Sequence, residues 1–327
     1  MLRLIRPLRP LRPLSHPIGI RAYSSAPFDI STKILKDDDI AKHDDKKFIT
    51  HPLFPHPTFT DAECRAVEVE HREPRTLSDK FAYNVIQIVR KSFDYVTGYK
   101  KSHDITQTFK GTRYEMTENK WMTRVIFLES IAGVPGMAAA FIRHLNSLRV
   151  LKRDKAWIET LLDEAYNERM HLLTFIKIGK PSLFTRVLIF MSQGIFTNIF
   201  FFAYLFRPSL CHRVVGYLEE EAVATYTHLI YQLQNNQLPK FNNLEIPTIA
   251  KQYWAELDDK STFTDLILRI RADEAKHREV NHTFANLKTK TDRNPFALEL
   301  KEHDDPQPNN GLDQHRGTGW ERKDLHL

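Results

Sequence analysis

Two short stretches carry residues whose types and spacing suit chemistry. Glu168-Arg169-Met170-His171 and Glu274-Ala275-Lys276-His277 each place a glutamate and a histidine three residues apart. On an α-helix that spacing puts both side chains on one face, one turn apart. A carboxylate and an imidazole converging in this way suit a divalent transition metal. One such pair is a weak signal, since Glu and His are common on solvated helix faces. Two pairs on two helices, joined by one inward Glu from each of two further helices, form the ligand set of a di-iron or di-manganese carboxylate bundle. Glu129 and Glu219 are the candidates for the remaining two carboxylates. Glu129 interrupts an apolar run through Val125, Ile126, Leu128, Ile131 and Val134, where an acid is costly unless it is paired or metal-bound. Glu219 opens Glu219-Glu220-Glu221, of which only part can face inward, because neighbours differ by about 100° around a helix. Val215, Ala222, Tyr226, Leu229 and Leu233 make an apolar stripe that includes Glu219. Glu220 is a weaker candidate, and Glu221 is expected to be solvated. Tyr226, seven residues beyond Glu219, shares its face and can reach the site or simply pack in the core. Asn167 and Asp273 each directly precede a candidate ligand Glu and are candidates to orient the histidines from behind.

These residues need helices to hold them. With Gly at only 11 of 327 residues and no long alternating pattern, the chain reads as all-α. A helical pattern starts at Ser78. Bundle helices are expected over about 120–149, 154–178, 210–234 and 262–287, with Pro135 inside the first and Thr262 with Asp265 capping the last. Gly133 and Gly136 allow close approach of another backbone or a ligand. Residues 183–206 are the most apolar stretch, long enough to span a bilayer, yet they contain Ser192, Gln193, Thr197 and Asn198. A single crossing there would put the two Glu-x-x-His pairs on opposite sides of the membrane. The metal reading therefore requires a monotopic protein with this stretch lying against one leaflet. Basic residues near the helix ends, such as Arg149, Lys152, Lys177 and Lys180, suit an anionic lipid surface.

The remaining chain divides simply. Residues 1–25 carry Arg3, Arg6, Arg9, Arg12 and Arg21, and no acid appears before Asp29, which is the pattern of a mitochondrial transit peptide. Residues 26–75, with His51, Pro52, Pro55, His56 and Pro57, read as an extended arm whose histidines are solvated. Residues 76–290 form the bundle domain, and 291–327 form a polar C-terminal tail, disordered or an arm. The formal charge of +6 is scattered and no nucleic-acid module is recognisable, so a nucleic-acid partner is not expected. Cys64 and Cys211 give neither a disulfide framework nor a zinc site.

Leu128-Glu129-Ser130, Asn167 to Leu172, Gly216 to Ala222 and Arg271 to Arg278, supported by Ala132 to Met137 and Leu77 to Lys80, resemble the mitochondrial alternative oxidase family over about 74–284. The resemblance implies a ferritin-like di-iron four-helix bundle with additional membrane-facing helices. It implies a cyanide-insensitive ubiquinol:oxygen oxidoreductase on the matrix side of the inner mitochondrial membrane. It implies two iron ions held by Glu129, Glu168, His171, Glu219, Glu274 and His277, and so selects Glu219 from its run. It places Tyr226 beside the irons as a redox-active residue, and Arg124, Leu128, Ala222 and Thr225 in the quinol pocket. It implies a homodimer docked in one leaflet through the helices around 121–149 and 181–207, with His144 and Arg149 in the dimer region. Ser130 stands where many members have Thr. The polar connector before Trp121 resembles the fungal and protist branch, and no match to the regulatory cysteine of the plant branch is found. The alternatives are a membrane-bound di-iron hydroxylase of a quinone precursor, a ferritin-like iron store and a metal-free membrane scaffold.

Overall fold

The computed structural model describes residues 28–30, 53–102, 104–297 and 305–327. The expected transit peptide at 1–25 and the arm up to residue 52, apart from 28–30, lie outside the described residues. Among the described residues the helices are α1 (Asp61–Ala66), α2 (Leu77–Thr97), α3 (Glu118–Val150), α4 (Trp157–Ile178), α5 (Leu183–Phe206), α6 (Pro208–Gln234), α7 (Pro239–Asn242), α8 (Thr248–Tyr253) and α9 (Phe263–Asn286). A two-stranded antiparallel pair, β1 (Phe28–Ile30) with β2 (Gly179–Pro181), is the one piece of sheet among them. The all-α reading therefore holds.

Local chemistry sets the helix ends. Thr76 with Asp79 and Thr262 with Asp265 form complete capping boxes at the starts of α2 and α9. Gly98 closes α2 with a left-handed φ of 65°. Pro208 occupies the first turn of α6, where its missing N–H costs nothing. The sequence predicts α4 from Asp154, but it starts at Trp157. Lys155 and Ala156 take left-handed φ values of 63° and 65°, which a continuing helix forbids. Asp154 instead accepts the backbone N–H of Ile158 and pairs with Arg143.

α3 lies along α4, and α6 along α9. Both contacts are close because glycine removes the side chain in the way. A Cβ on Gly136 would stand 2.5 Å from the Leu161 carbonyl oxygen, and one on Gly216 would stand 2.4 Å from the His282 ring. Of the two partners offered by the sequence, backbone or ligand, Gly136 therefore meets backbone. α5 packs along α3 and α6, and α2 along α6. The core between the helices includes Trp121, Phe175, Tyr226 and Trp254 at one end, and Trp157, Phe284 and Trp320 at the other.

α9 is buried on every side from Leu266 to Phe284, although periodicity accounts for only one apolar face. The other faces are covered by both ends of the chain. The backbone carbonyls of Cys64 and Glu68 accept Arg271 and Arg278. Glu279, fully buried, accepts Lys276 Nζ, the Arg316 backbone N–H and Trp320 Nε1. Of the two readings of the tail, disordered or an arm, residues 305–327 are an ordered arm against α9. Its hold includes the Trp320 indole on Glu279, the Trp320 backbone N–H on Thr283 and His315 on the Ala275 carbonyl, none of which composition alone could place.

Candidate metal centre

The six candidate ligands come from the four bundle helices, one or two from each. α3 supplies Glu129, α4 supplies Glu168 and His171, α6 supplies Glu219, and α9 supplies Glu274 and His277. All six are buried. They form two groups, Glu129–Glu168–His171–Glu274 and Glu168–Glu219–Glu274–His277, and within each group the donor atoms lie within 4.8 Å of one another. Glu168 and Glu274 belong to both groups. The two groups therefore share two carboxylates, and each group could hold a metal ion.

The donor atoms point inward. His171 Nδ1 is 3.3 Å from Glu129 Oε2 and 3.3 Å from Glu274 Oε1, and His277 Nδ1 is 2.7 Å from Glu168 Oε1. Yet Glu129 Oε2, both Glu168 oxygens, Glu274 Oε2 and both Nδ1 atoms are buried without an aligned hydrogen bond. Buried polar atoms rarely stay unsatisfied, so convergent orphaned O and N donors fit a cation pair. Two divalent ions would offset the charge of four buried carboxylates, and O and N donors suit iron or manganese.

Without metal, the cluster balances its charge with protons. Burial, then the neighbouring Glu168 charge, pushes the Glu129 carboxyl well above the usual range. Burial, then Glu274 and Glu168, does the same to Glu219. Burial also opposes ionisation of Glu168, but the His171 and His277 imidazoles outweigh it and hold this carboxyl low. Burial alone would discharge His277, yet the Glu168 carboxylate 2.7 Å from its Nδ1 and the surrounding carboxylates raise it to about 10. His171 is likewise raised, against its burial, by Asp273, Glu129, Glu168 and Glu274. The raised shifts favour the protonated forms of these groups, whereas metal binding needs both imidazoles neutral and the carboxylates ionised. Loading the metal-free protein near pH 7 should therefore release protons, measured in a pH-stat, and metal retention should weaken as pH falls. Loading without proton release would contradict this charge assignment.

Asp273 sits behind His171 and accepts its Nε2–H at 3.1 Å, together with Asn167 Nδ2 and Trp254 Nε1, all on Oδ2. This arrangement fixes the tautomer that leaves Nδ1 facing the carboxylates. The Asn167 amide also donates to the Tyr253 hydroxyl. Tyr226, on α6, donates its hydroxyl proton to Glu129 Oε1. Burial, then the Glu129 charge, raises its phenol well above the ordinary value.

Several sequence expectations need correcting. Glu221 is buried rather than solvated, because Arg90, Lys101 and Gln87 meet it. Glu220 turns away from the cluster to His282, His71 and the Arg72 backbone N–H. The His56 side chain is buried rather than solvated and reaches Asp273. The roles of His56, Tyr253 and Trp254 were not legible in the sequence because they lie in the arm and at the end of the six-residue α8, too short to show periodicity. The aromatic pair Tyr253-Trp254 in a polar connector was the one available signal.

The other candidates are dispersed around the cluster. Leu128 adjoins Glu129 and is half-buried, while Ala222 and Thr225 lie between Glu219 and Tyr226 on α6. The Thr225 hydroxyl donates to the Glu221 carbonyl. The Arg124 guanidinium is fully buried, paired with Asp94 and 4.1 Å over the Tyr99 ring. His144 and Arg149 are exposed near the end of α3. Cys64 and Cys211 are free and buried, and burial pushes both thiols up to about 12, far from the thiolate that disulfide exchange needs.

A family model described as alternative oxidase matches residues 59–286. The chain is 65% identical over 303 residues to the mitochondrial alternative oxidase of Scheffersomyces stipitis, covering 92% of this chain and 85% of that protein. It is 60% identical over 316 residues to the mitochondrial alternative oxidase 2 of Candida albicans, covering 96% and 86%. It is 46% identical over 324 residues to the mitochondrial alternative oxidase of Emericella nidulans, covering 99% and 90%.

Proposed function

The chain belongs to the alternative oxidase family, and from that premise we propose that it is a mitochondrial ubiquinol oxidase that reduces O2 to water at two iron ions. The observation that carries this reading is the pair of donor groups sharing Glu168 and Glu274. In this reading Glu129, Glu168, His171, Glu219, Glu274 and His277 are the ligands. A bound iron pair supplies the multi-electron redox chemistry that side chains alone lack.

The protein's own residues do the rest. Tyr226 holds a proton on its phenolic oxygen against Glu129 Oε1, placing a proton and electron donor beside the cluster. Asp273 and Asn167 keep His171 oriented. Leu128, Ala222, Thr225 and Arg124 line the quinol approach, with Leu128 and Ala222 each close in sequence to a ligand Glu. The buried Trp254 ring, stacked 5.7 Å from the His171 ring, helps exclude water. Reduction of O2 to water takes four electrons, so two ubiquinols are consumed per O2, and their four protons match those that water formation takes up.

The proposed membrane disposition follows from the helix order. α3 and α5 are both long and apolar enough to cross a membrane. Only α5 is largely exposed, through residues such as Phe184, Phe190, Ile195, Ile199 and Phe206. The helices before and after α5 pack into one bundle, so α5 lies along the bundle and dips into one leaflet. α2 adds Leu77, Phe81, Ile88 and Val89 to the exposed apolar surface, a contribution absent from the sequence reading. A protein seated in one leaflet spans no barrier, so its reaction cannot carry protons across. In this reading the leaflet is the matrix-side one of the inner membrane, and the protein pairs as a homodimer near His144 and Arg149.

The test is oxygen uptake by the purified, membrane-reconstituted protein with ubiquinol, in cyanide, with and without a hydroxamate inhibitor. The expected result is cyanide-insensitive, hydroxamate-sensitive uptake of about one O2 per two ubiquinols, yielding unmodified ubiquinone. Oxygen appearing in the quinone ring would instead identify a hydroxylase.

A further inference from the structure

We propose that His56, from the N-terminal arm, is a positioning residue for the metal centre, acting through Asp273 on His171. This inference rests on the two-ion reading above. His56 precedes α1, more than two hundred residues from the aspartate it meets. Its Nε2 lies 2.6 Å from Asp273 Oδ1, and both side chains are 3% exposed. The ring is wedged edge-on against Phe59, Tyr253 and Trp254, with centroids 5.2, 5.1 and 6.0 Å away. Its place is set by packing as well as by the hydrogen bond.

The two oxygens of Asp273 are used unequally. Oδ2 takes His171, Asn167 and Trp254. Among the described residues, Oδ1 takes His56 alone. Oδ2 can meet three donors at once only if the carboxylate plane is fixed, and the bond to Oδ1 fixes it. Without that bond the buried carboxylate gains freedom to rotate, its two oxygens compete for the three donors, and the His171 ring loses its fixed partner. His171 Nδ1 must face Glu129, Glu168 and Glu274 together, so a loosened ring weakens both ion sites through the shared carboxylates. The arm is therefore part of the site's scaffold and not merely a cover over α9.

The test is anaerobic ferrous-iron titration of the metal-free full-length protein, reading affinity and the ligand-field circular dichroism of the bound iron. His56→Leu should weaken binding by about 10–100-fold and shift the ligand-field bands. His56→Gln, whose amide nitrogen can stand where Nε2 does, should restore most of both. His56→Asn, polar but too short to reach Asp273, should behave like the leucine variant. In an Asp273→Asn background, His56→Leu should add nothing. Wild-type affinity and spectrum in His56→Leu would overturn the proposal. So would equal behaviour of the Asn and Gln variants, which keeps the test decisive if the leucine variant does not fold. Equal losses from His56→Leu in both backgrounds would assign the residue a role independent of Asp273 and also overturn it. A wild-type protein that takes up no iron pair overturns the two-ion reading itself.

Discussion

Glu274→Ala is expected to abolish ubiquinol oxidation, by at least about 10³-fold, and to strip both ions together. Glu274 is one of the two carboxylates common to both donor groups, so its loss opens both at once. The helix that carries it is packed through residues such as Ile270 and Phe284, which the substitution leaves untouched, so the bundle should still fold. Without metal, Glu274 faces the raised His171 imidazole, so the metal-free variant should be no more stable than the metal-free parent. Loss of both ions from a protein that still unfolds cooperatively separates a ligand from an ordinary core residue. The check is metal content, oxygen uptake and thermal unfolding on the same preparation. Glu219→Ala gives a narrower version, because Glu219 belongs to the second group alone. Retained oxidation with iron still bound would remove Glu219 from the ligand set.

Tyr226→Phe should cut kcat by about 10²–10⁴-fold while leaving metal content and the quinol KM nearly unchanged. The ring itself packs parallel to Phe175, with centroids 6.4 Å apart, and phenylalanine preserves that contact. What disappears is the hydroxyl that donates to Glu129 Oε1. Loss of one buried hydrogen bond costs stability by about 1 kcal/mol, too little to unfold the bundle. A large kcat loss at full metal loading would therefore assign the effect to the phenolic O–H. Parental turnover in this variant would leave Tyr226 a packing residue.

The features legible in the sequence are the local ones. Each Glu-x-x-His pair is written in the spacing itself, since residues three apart on a helix share a face whatever the surroundings. The bounds of α5 coincide with its apolar run, and the Thr262–Asp265 cap marks the start of α9 because both partners lie within one turn. Glu219 was reachable from the stripe through Val215 and Ala222, but only the family resemblance selected it from its neighbours. Apart from the start of α4, set by the local backbone at Lys155 and Ala156, the misses involve partners far apart in the chain. Glu221 looked solvated because Arg90 and Lys101 come from α2 and its following connector. His56 looked like part of a polar arm because Asp273 lies on the last bundle helix. The C-terminal tail read as disordered or an arm because its contacts, such as Trp320 and the Arg316 backbone on Glu279 and His315 on the Ala275 carbonyl, leave no periodicity to find. In each case a long-range hydrogen bond or ion pair, invisible to hydropathy, compensates the burial of a polar group.

The most direct measurement is the number of metal ions held per folded chain. Purified protein reconstituted with ferrous iron should carry two ions, and Glu168→Ala should carry none, because that carboxylate too belongs to both donor groups. A single ion per chain, or a Glu168→Ala protein that keeps its metal, would contradict a centre built on shared carboxylates.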